Sequence, residues 1–547
     1  MIAYNCVLFR FIIFMQYCQQ NRRVLASESN WDILIIGGGA TGLGTALDAA
    51  SRGFKTLLLE QSDFAKGTSS RSTKLVHGGV RYLAQGDIGL VYQALRERGL
   101  LQVNAAHLVL KEEFIIPCFD WFSVAKYLAG LKMYDWLAGK YSFGKSKFLS
   151  RKEVMNKISG LKDKGLVGGI SYYDGKFDDA RLAVNIAQTC AEEGGSVLNY
   201  VKVSNLIKDV NGKVSGVEAH DLLGHTHHKI YAKVVINATG VFVDDILQMN
   251  APNSEKLVRP SQGVHVVLNN SFLESSAALM IPKTSDNRVL FAVPWHSNLL
   301  VGTTDTPIDT HSLEPRALEE EIDFILSTAS QYFKHEVTRK DVLSVFAGLR
   351  PLAAPGKNDS NSTKEISRDH KLIVSESGLI TITGGKWTTY RKMSEDTVDT
   401  AIQTANLENK KCRTKDLKIH ACTTENVKSH LSIYGTDKLH IEELANQNPE
   451  WKEKLHPLFP NIKAEVIWAL RNEMAYMVED VLARRMRILF IDAQAAIEMS
   501  ATVAVLMAHE SGKSAEWVEE QISAFKLIAN QYLLKPSVRS EEPLLTN

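Results

Sequence analysis

The sequence predicts an α/β fold with α+β character: a parallel-sheet domain interleaved with an antiparallel-sheet domain, followed by a helical C-terminal domain. Three observations predict it. Residues 32–60 read as strand, helix and strand, the β-α-β unit of roughly 30 residues that builds a parallel sheet. Between about 197 and 268 the chain alternates apolar and polar residues over short runs separated by turn residues, as antiparallel strands do. Beyond about Lys411 apolar residues recur at helical spacing.

In chain order, Asp32-Ile-Leu-Ile-Ile36 is a short apolar run ending in glycines, as a strand buried on both faces should be. A helix pattern covers Ala40 to Arg52, and Lys55-Thr-Leu-Leu-Leu-Glu60 is the second strand. Further strands fall at Lys213–Ala219, Val264–Leu268, Arg288–Val293 and Leu299–Thr303. Gly378–Thr383 and a helix from Trp387 return to the α/β pattern, so the first domain is discontinuous. Ala464–Arg471, Val478–Phe490 and Ala493–His509 are the clearest later helices. The expected organisation is an extension over 1–30, the discontinuous domain over 31–410 with its insert at about 197–370, a helical domain over 411–535 and a tail over 536–547.

Composition bounds the function. The chain has 547 residues, 45% hydrophobic and 23% charged, which suits a globular protein of two or three domains. A net charge of +1 supplies no global basic field, so nucleic acid is not an expected partner. Six cysteines without a Cys-x-x-Cys pair argue against zinc, iron–sulfur and a disulfide framework, and no metal site is expected. Met1 to Ser27 holds Arg10, Arg22 and Arg23 but no acid, which fits either an organellar presequence or an extension without function.

The chemistry is carried by glycine-rich segments. Gly37-Gly-Gly-Ala-Thr-Gly42 sets G-x-G-x-x-G between the first strand and helix. Gly37 allows the tight turn, Gly39 a close approach to a pyrophosphate, and Gly42 close packing of helix on strand. Glu60 closes the second strand, where an acid can hold ribose hydroxyls. Strand, helix and acid together point to a dinucleotide rather than to a plain turn. A second run, Gly67-Thr-Ser-Ser-Arg-Ser-Thr-Lys-Leu-Val-His-Gly-Gly79, favours FAD over a nicotinamide, because a flavin ring needs a second loop to grip it. Its candidate cofactor ligands are Thr68, Ser69, Ser72, Lys74, His77, Gly78 and Gly79. Late in the chain Gly384-Gly-Lys-Trp-Thr-Thr-Tyr-Arg391, with Gly385 and Thr388, can turn N–H groups toward the flavin.

These segments resemble the FAD-dependent glycerol-3-phosphate dehydrogenases of the D-amino-acid-oxidase-like flavoprotein superfamily. The matching blocks also include Val235-Ile-Asn-Ala-Thr-Gly240, Gly302-Thr-Thr-Asp-Thr-Pro307, Gly348-Leu-Arg-Pro351 and, toward the end, Ala483-Arg-Arg-Met-Arg487. The resemblance implies a Rossmann-like FAD-binding domain interleaved with an antiparallel-sheet substrate domain, a noncovalent FAD that includes Gly240 among its contacts, and oxidation of glycerol 3-phosphate. The acceptor it implies is ubiquinone or menaquinone, and the location peripheral, on the cytoplasmic face of a bacterial inner membrane or, alternatively, the mitochondrial inner membrane. A homodimer is compatible with it. No Asp-x-Asp-x-Asp-Gly loop occurs, so calcium control is not expected.

The family's substrate ligands fall on Arg81, Tyr82, Arg350, Arg368 and Lys386, a cation set suited to a phosphate dianion. His265 falls on the family's pocket histidine and acts either as the base that takes the hydroxyl proton or as a hydrogen-bonding group; with Arg350 and Lys386 it forms the expected catalytic set. His77 is expected to position cofactor. The stretch Pro117 to Lys147 interleaves aromatics with lysines, as suits the lipid headgroup zone or a helix packed over the core. The rival readings are a flavin-dependent amino- or hydroxy-acid oxidase or dehydrogenase, an oxygen-reducing glycerol-3-phosphate oxidase, and a flavin-binding interaction protein without turnover.

Overall fold

A computed structural model describes residues 30–83, 86–284, 288–353, 370–425 and 429–534, together with Arg22 and Leu25. The rest of the expected extension and the tail from 536 lie outside the described residues.

Two sheets line one large cavity, and helices pack against them. In the first sheet β1 (Trp31–Ile36) pairs in parallel with β2 (Thr56–Leu59) on one side and with the far half of a long strand, β5 (Thr226–Asn237), on the other. The parallel run continues outward from β2 to β3 (Ser196–Leu198) and from β5 to β8 (Ile380–Gly384). Helix α1 (Ala40–Ser51) packs between α2 (Asp179–Glu192) and α3 (Tyr390–Thr404) on one face of this sheet. Burial on both sides explains why β1 reads as an unbroken apolar run: Ile33, Leu34 and Ile35 are wholly buried.

The second sheet has ten strands. Near one edge, β6 (Val258–Asn269) pairs antiparallel with β7 (Val342–Ala353) and with Asn298–Gly302. The sequence-expected strands at 264–268, 288–293 and 299–303 all fall here or beside it. The expected boundaries of the insert do not match the sheets. Strands Val109–Cys118, Lys147–Ser150 and Gly168–Phe177, all before residue 197, belong to the second sheet, whereas Val201–Lys208, Val214–Asp221 and β5 belong to the first. The reason is that β5 changes partner along its length: Thr226–Tyr231 pair with the antiparallel hairpin and Ala232–Asn237 with β1. A local alternation signal sees the hairpin but not the parallel neighbour.

The C-terminal helices Lys463–Asn472, Ala493–Ser511 and Ala515–Ala529 pack with Phe490 and Val481 onto Val267, Leu300 and Phe346 of the second sheet. The helix expected over 478–490 is instead a wide π-type turn at Asp480–Arg485, then Arg487 at φ +68, then a short helix Ile488–Ile491. This irregular segment carries Arg484, Arg485 and Arg487 inward to buried acids. Asp63 accepts from Arg485 Nη1 at 2.7 Å and Nη2 at 2.9 Å, and also binds Arg484. Arg487 donates to Asp179 at 3.0 Å and to the Ser70 carbonyl at 2.9 Å. Burial opposes the charge on Asp63, yet Arg485 and Arg484 hold its carboxyl down at about 2.

Arg485→Met should cost about 3–5 kcal/mol, because it removes one of the two guanidiniums that hold a buried carboxylate. Chemical denaturation of the purified protein measures it. Since Asp63 is depressed from 3.8 to about 2, its contribution is present above pH 4 and should be lost as pH falls through that window. An acid titration followed by near-UV circular dichroism checks the sign.

Candidate active site

The carboxyl ends of β1, β2, β5 and β8 open on one crevice, where ligands bind in sheets of this kind. A cavity of about 600 Å³ runs from Gly37, Gly39 and Glu60 at those strand ends to His265 and Arg350 on the second sheet, with Lys386 just past the end of β8.

At the sheet end the glycines behave as their spacing predicts. Gly37 adopts φ +110, and a Cβ on Gly42 would lie 1.9 Å from the Gly37 carbonyl oxygen. Gly42 therefore serves the packing of helix on turn and does not line the cavity. Gly39 does line it, and a Cβ there would stand 3.1 Å from Ser69 Oγ. Ser69 Oγ accepts the Ala40 N–H at 2.9 Å, so the second loop closes over the helix N-terminus. Glu60 accepts from the N–H groups of Gly38 at 2.6 Å and Ser62 at 2.8 Å, each oxygen keeping a further lone pair. Burial raises its pKa against those two bonds.

At the other end Arg350, on β7, donates to Thr304 O at 3.0 Å, Thr303 Oγ1 at 3.2 Å and Gln262 O at 3.3 Å, with Asp305 at 3.5 Å. The Lys386 ammonium lies 3.7 Å from the centre of the Tyr82 ring. His265, on β6, is 2% exposed and stacks on Phe346 with ring centres 5.1 Å apart. Its Nε2 is 2.9 Å from Thr73 Oγ1. Burial, then Lys74 and Arg350, push its pKa well below the usual histidine range, so the ring is neutral at pH 7.

Of the residues expected from sequence, Gly37, Gly39, Glu60, Thr68, Ser69, Ser72, His77, Tyr82, Gly240, His265, Arg350, Gly385, Lys386 and Thr388 reach this one cavity. Lys74, Gly78 and Gly79 do not line it. Lys74 is buried behind the wall, bonded to Asp179 and the Ser70 carbonyl at 2.7 Å each. Burial brings its ammonium down to about 7 against the pull of Asp179. Gly78 is a packing glycine whose Cβ would meet Leu95 and the Tyr134 hydroxyl at 2.4 Å, and Gly79 supplies a left-handed turn at φ +80. Arg368 lies outside the described residues, as does the side chain of Arg81. Sequence reasoning missed Arg71 and Thr73, both on the cavity wall, and Asp305, which pairs with Arg350. All three sit inside the glycine- and hydroxyl-rich blocks, where nothing in the residue type singles them out.

Residues 32–391 match the FAD dependent oxidoreductase family, and residues 377–518 match the C-terminal domain of alpha-glycerophosphate oxidase. A mitochondrial glycerol-3-phosphate dehydrogenase of Arabidopsis thaliana is 39% identical over 90% of this chain and 85% of its own length. The human mitochondrial enzyme of the same name is 40% identical over 89% of this chain and 71% of its own length. The chain belongs to the FAD-dependent glycerol-3-phosphate dehydrogenase family. A crystal structure of the Bacillus halodurans member, complexed with FAD, superposes with a TM-score of 0.76 at 31% identity, covering 93% of this chain and 97% of that one.

FAD fits the cavity. A cradle that a Cβ at Gly39 would narrow, the N–H groups of α1 and an acid at the end of β2 are the donor set that a dinucleotide of this family requires. Gly39→Val should therefore yield colourless protein, because its side chain takes pyrophosphate space. Gly130→Ala, with open space around the new methyl, should stay yellow. Flavin absorbance of the two purified variants decides it, and full occupancy in Gly39→Val would contradict this placement.

Proposed function

We propose that the chain oxidises sn-glycerol 3-phosphate at C2 to dihydroxyacetone phosphate and delivers the electrons to a membrane quinone. The observation that carries this is the convergence of Arg350 and Lys386 with a neutral, buried His265 on one cavity whose other end is the dinucleotide cradle. FAD, when bound, supplies the acceptor for the electron pair that leaves C2.

The chain's own residues then divide the work. Arg350 and Lys386, with Arg81 and Arg368 as the further cations of the set, hold the phosphate, whose charge of about −2 at pH 7 calls for more than one cation. Asp305 and the carbonyls of Gln262 and Thr304 fix the guanidinium of Arg350, so it meets substrate in one orientation. His265 takes the hydroxyl proton: its neutral ring has a lone pair available at the start. A phosphate dianion near Arg350 offsets the cations that oppose a charged ring, which links substrate binding to proton acceptance.

The membrane reading is supported by the helix Trp121–Ala138, which buries Val124, Leu131 and Tyr134 against the second sheet. Its outer face leaves Trp121, Phe122 and Trp136 exposed at 66%, 78% and 79%, beside Lys126 and Lys140. The inner face fits a helix packed over the core, and the exposed aromatics of the outer face support the headgroup reading. Lys132 instead bonds the Ser146 carbonyl at 2.5 Å. Among the described residues no helix is long and apolar enough to cross a membrane, so this face would dock and not span. Plant and animal relatives named as mitochondrial favour the mitochondrial inner membrane over the bacterial one. Oxygen is the rival acceptor, because the family matched at 377–518 is named for an oxidase; activity with a quinone analogue under nitrogen separates the two.

Arg350→Ala should lower kcat/KM for glycerol 3-phosphate at least about thirtyfold, the effect of about 2 kcal/mol lost from a partly buried charge pair. Glycerol should remain a poor substrate for both proteins. Steady-state dye reduction measures both. Reversing Lys126 and Lys140 to glutamate should weaken co-sedimentation with anionic vesicles by about 1 kcal/mol per charge removed.

A further inference from the structure

We propose that Thr73 is a catalytic residue that relays the proton of the substrate's C2 hydroxyl to His265. This rests on the reading that His265 takes that proton. The imidazole has two nitrogens, and Nδ1 is buried and has no hydrogen-bond partner among the described residues. Nε2 is covered by the Thr73 hydroxyl at 2.9 Å. Phe346 covers one face of the ring. Thr73 is only half-buried and lines the same cavity as Arg350 and Lys386. Of the two ring nitrogens only Nε2 has a polar side chain beside it, so a proton from a hydroxyl in the cavity can reach it through Thr73 Oγ.

The transfer balances without a further group. The substrate O–H bond breaks as its proton joins Thr73 Oγ, and the Thr73 O–H bond breaks as that proton joins Nε2. Thr73 ends neutral and His265 ends as the cation, with its original proton on Nδ1. A threonine hydroxyl is too weak a base to keep the proton, so it acts as a conduit and the imidazole as the acceptor.

The turn around Thr73 is fixed from both sides, as a relay requires. Ser72 Oγ donates to Asp179 Oδ2 at 2.6 Å, and the Lys74 ammonium donates to the same oxygen at 2.7 Å. Lys74 sits at φ +63, a left-handed conformation that lysine rarely adopts and that the surrounding bonds must hold. With both neighbours anchored on one buried carboxylate, the Thr73 side chain keeps its place between cavity and ring.

The test uses flavin-loaded Thr73→Val, Thr73→Ser and His265→Gln. Thr73→Val should stay yellow and keep its KM for glycerol 3-phosphate within about twofold, while kcat falls about a hundredfold, the lower end for a lost proton-transfer group. Thr73→Ser should recover most of the rate. In nitrogen-15 spectra of histidine-labelled protein, the His265 Nε2 signal should move in the valine variant and return in the serine variant. If Thr73→Val turns over normally while His265→Gln is a hundredfold slower, the relay is wrong and the base receives the proton directly. If His265→Gln is also unimpaired, the assignment of the base fails with it. If Thr73→Ser is as slow as the valine variant, the hydroxyl is not what matters and the relay is again wrong. Should the valine variant fail to fold, Thr73→Ala is read by the same criteria.

Discussion

The three buried arginines Arg484, Arg485 and Arg487 are the joint on which the rest of the molecule hangs. A guanidinium cannot lose its proton inside a protein, so each must find carboxylates and carbonyls or stay in water. Glu479 and Asp480 pair with Arg484 within the same segment, and the remaining acids wait on the other domain: Asp63 lies just beyond β2, and Asp179 opens α2. The C-terminal helices complete the set of partners by docking onto the parallel sheet and the second sheet at once. Such a network is a specifying device more than a stabilising one, since most of its Coulomb energy repays the loss of hydration.

The site inherits its geometry from that joint. Asp179 binds Arg487 on one oxygen and Lys74 and Ser72 on the other, so the docked C-terminal domain and the loop that bears Thr73 share one carboxylate. Lys74 in turn helps keep His265 neutral, one residue from the hydroxyl that touches its ring. Opposite, the strand ends of the parallel sheet place a glycine turn and an acid at the mouth of the crevice. The parallel sheet thus sets the dinucleotide turn and, past β8, Lys386, the second sheet sets His265 and Arg350, and the helical domain fixes how the two sheets meet.

Much of this was legible in the sequence because it was local. The turn Gly37–Gly42, the strands beside it and Glu60 follow from spacing alone, and the structure places them within a residue or two of expectation. His265, Arg350 and Lys386, far apart in the chain, were named together only through family resemblance, and they do share one cavity. What failed was long-range. The split pairing of β5 cannot be read from alternation, so the insert boundaries were misplaced. Lys74, Gly78 and Gly79 sit among true cavity residues, and only packing shows that they face away. The cluster at 483–487 matched the family as a block, but its burial shows only when its acid partners, some 420 residues upstream for Asp63, are brought beside it.

The claim that joins these features is that a phosphorylated polyol, and not an amino or hydroxy acid, is oxidised in this cavity. Its most direct measurement is an anaerobic titration of the purified yellow protein, following the flavin absorbance. Glycerol 3-phosphate should bleach it stoichiometrically, and neither glycerol nor 2-amino acids should do so. Colour that survives excess glycerol 3-phosphate but vanishes on addition of a 2-amino or 2-hydroxy acid would contradict the assignment.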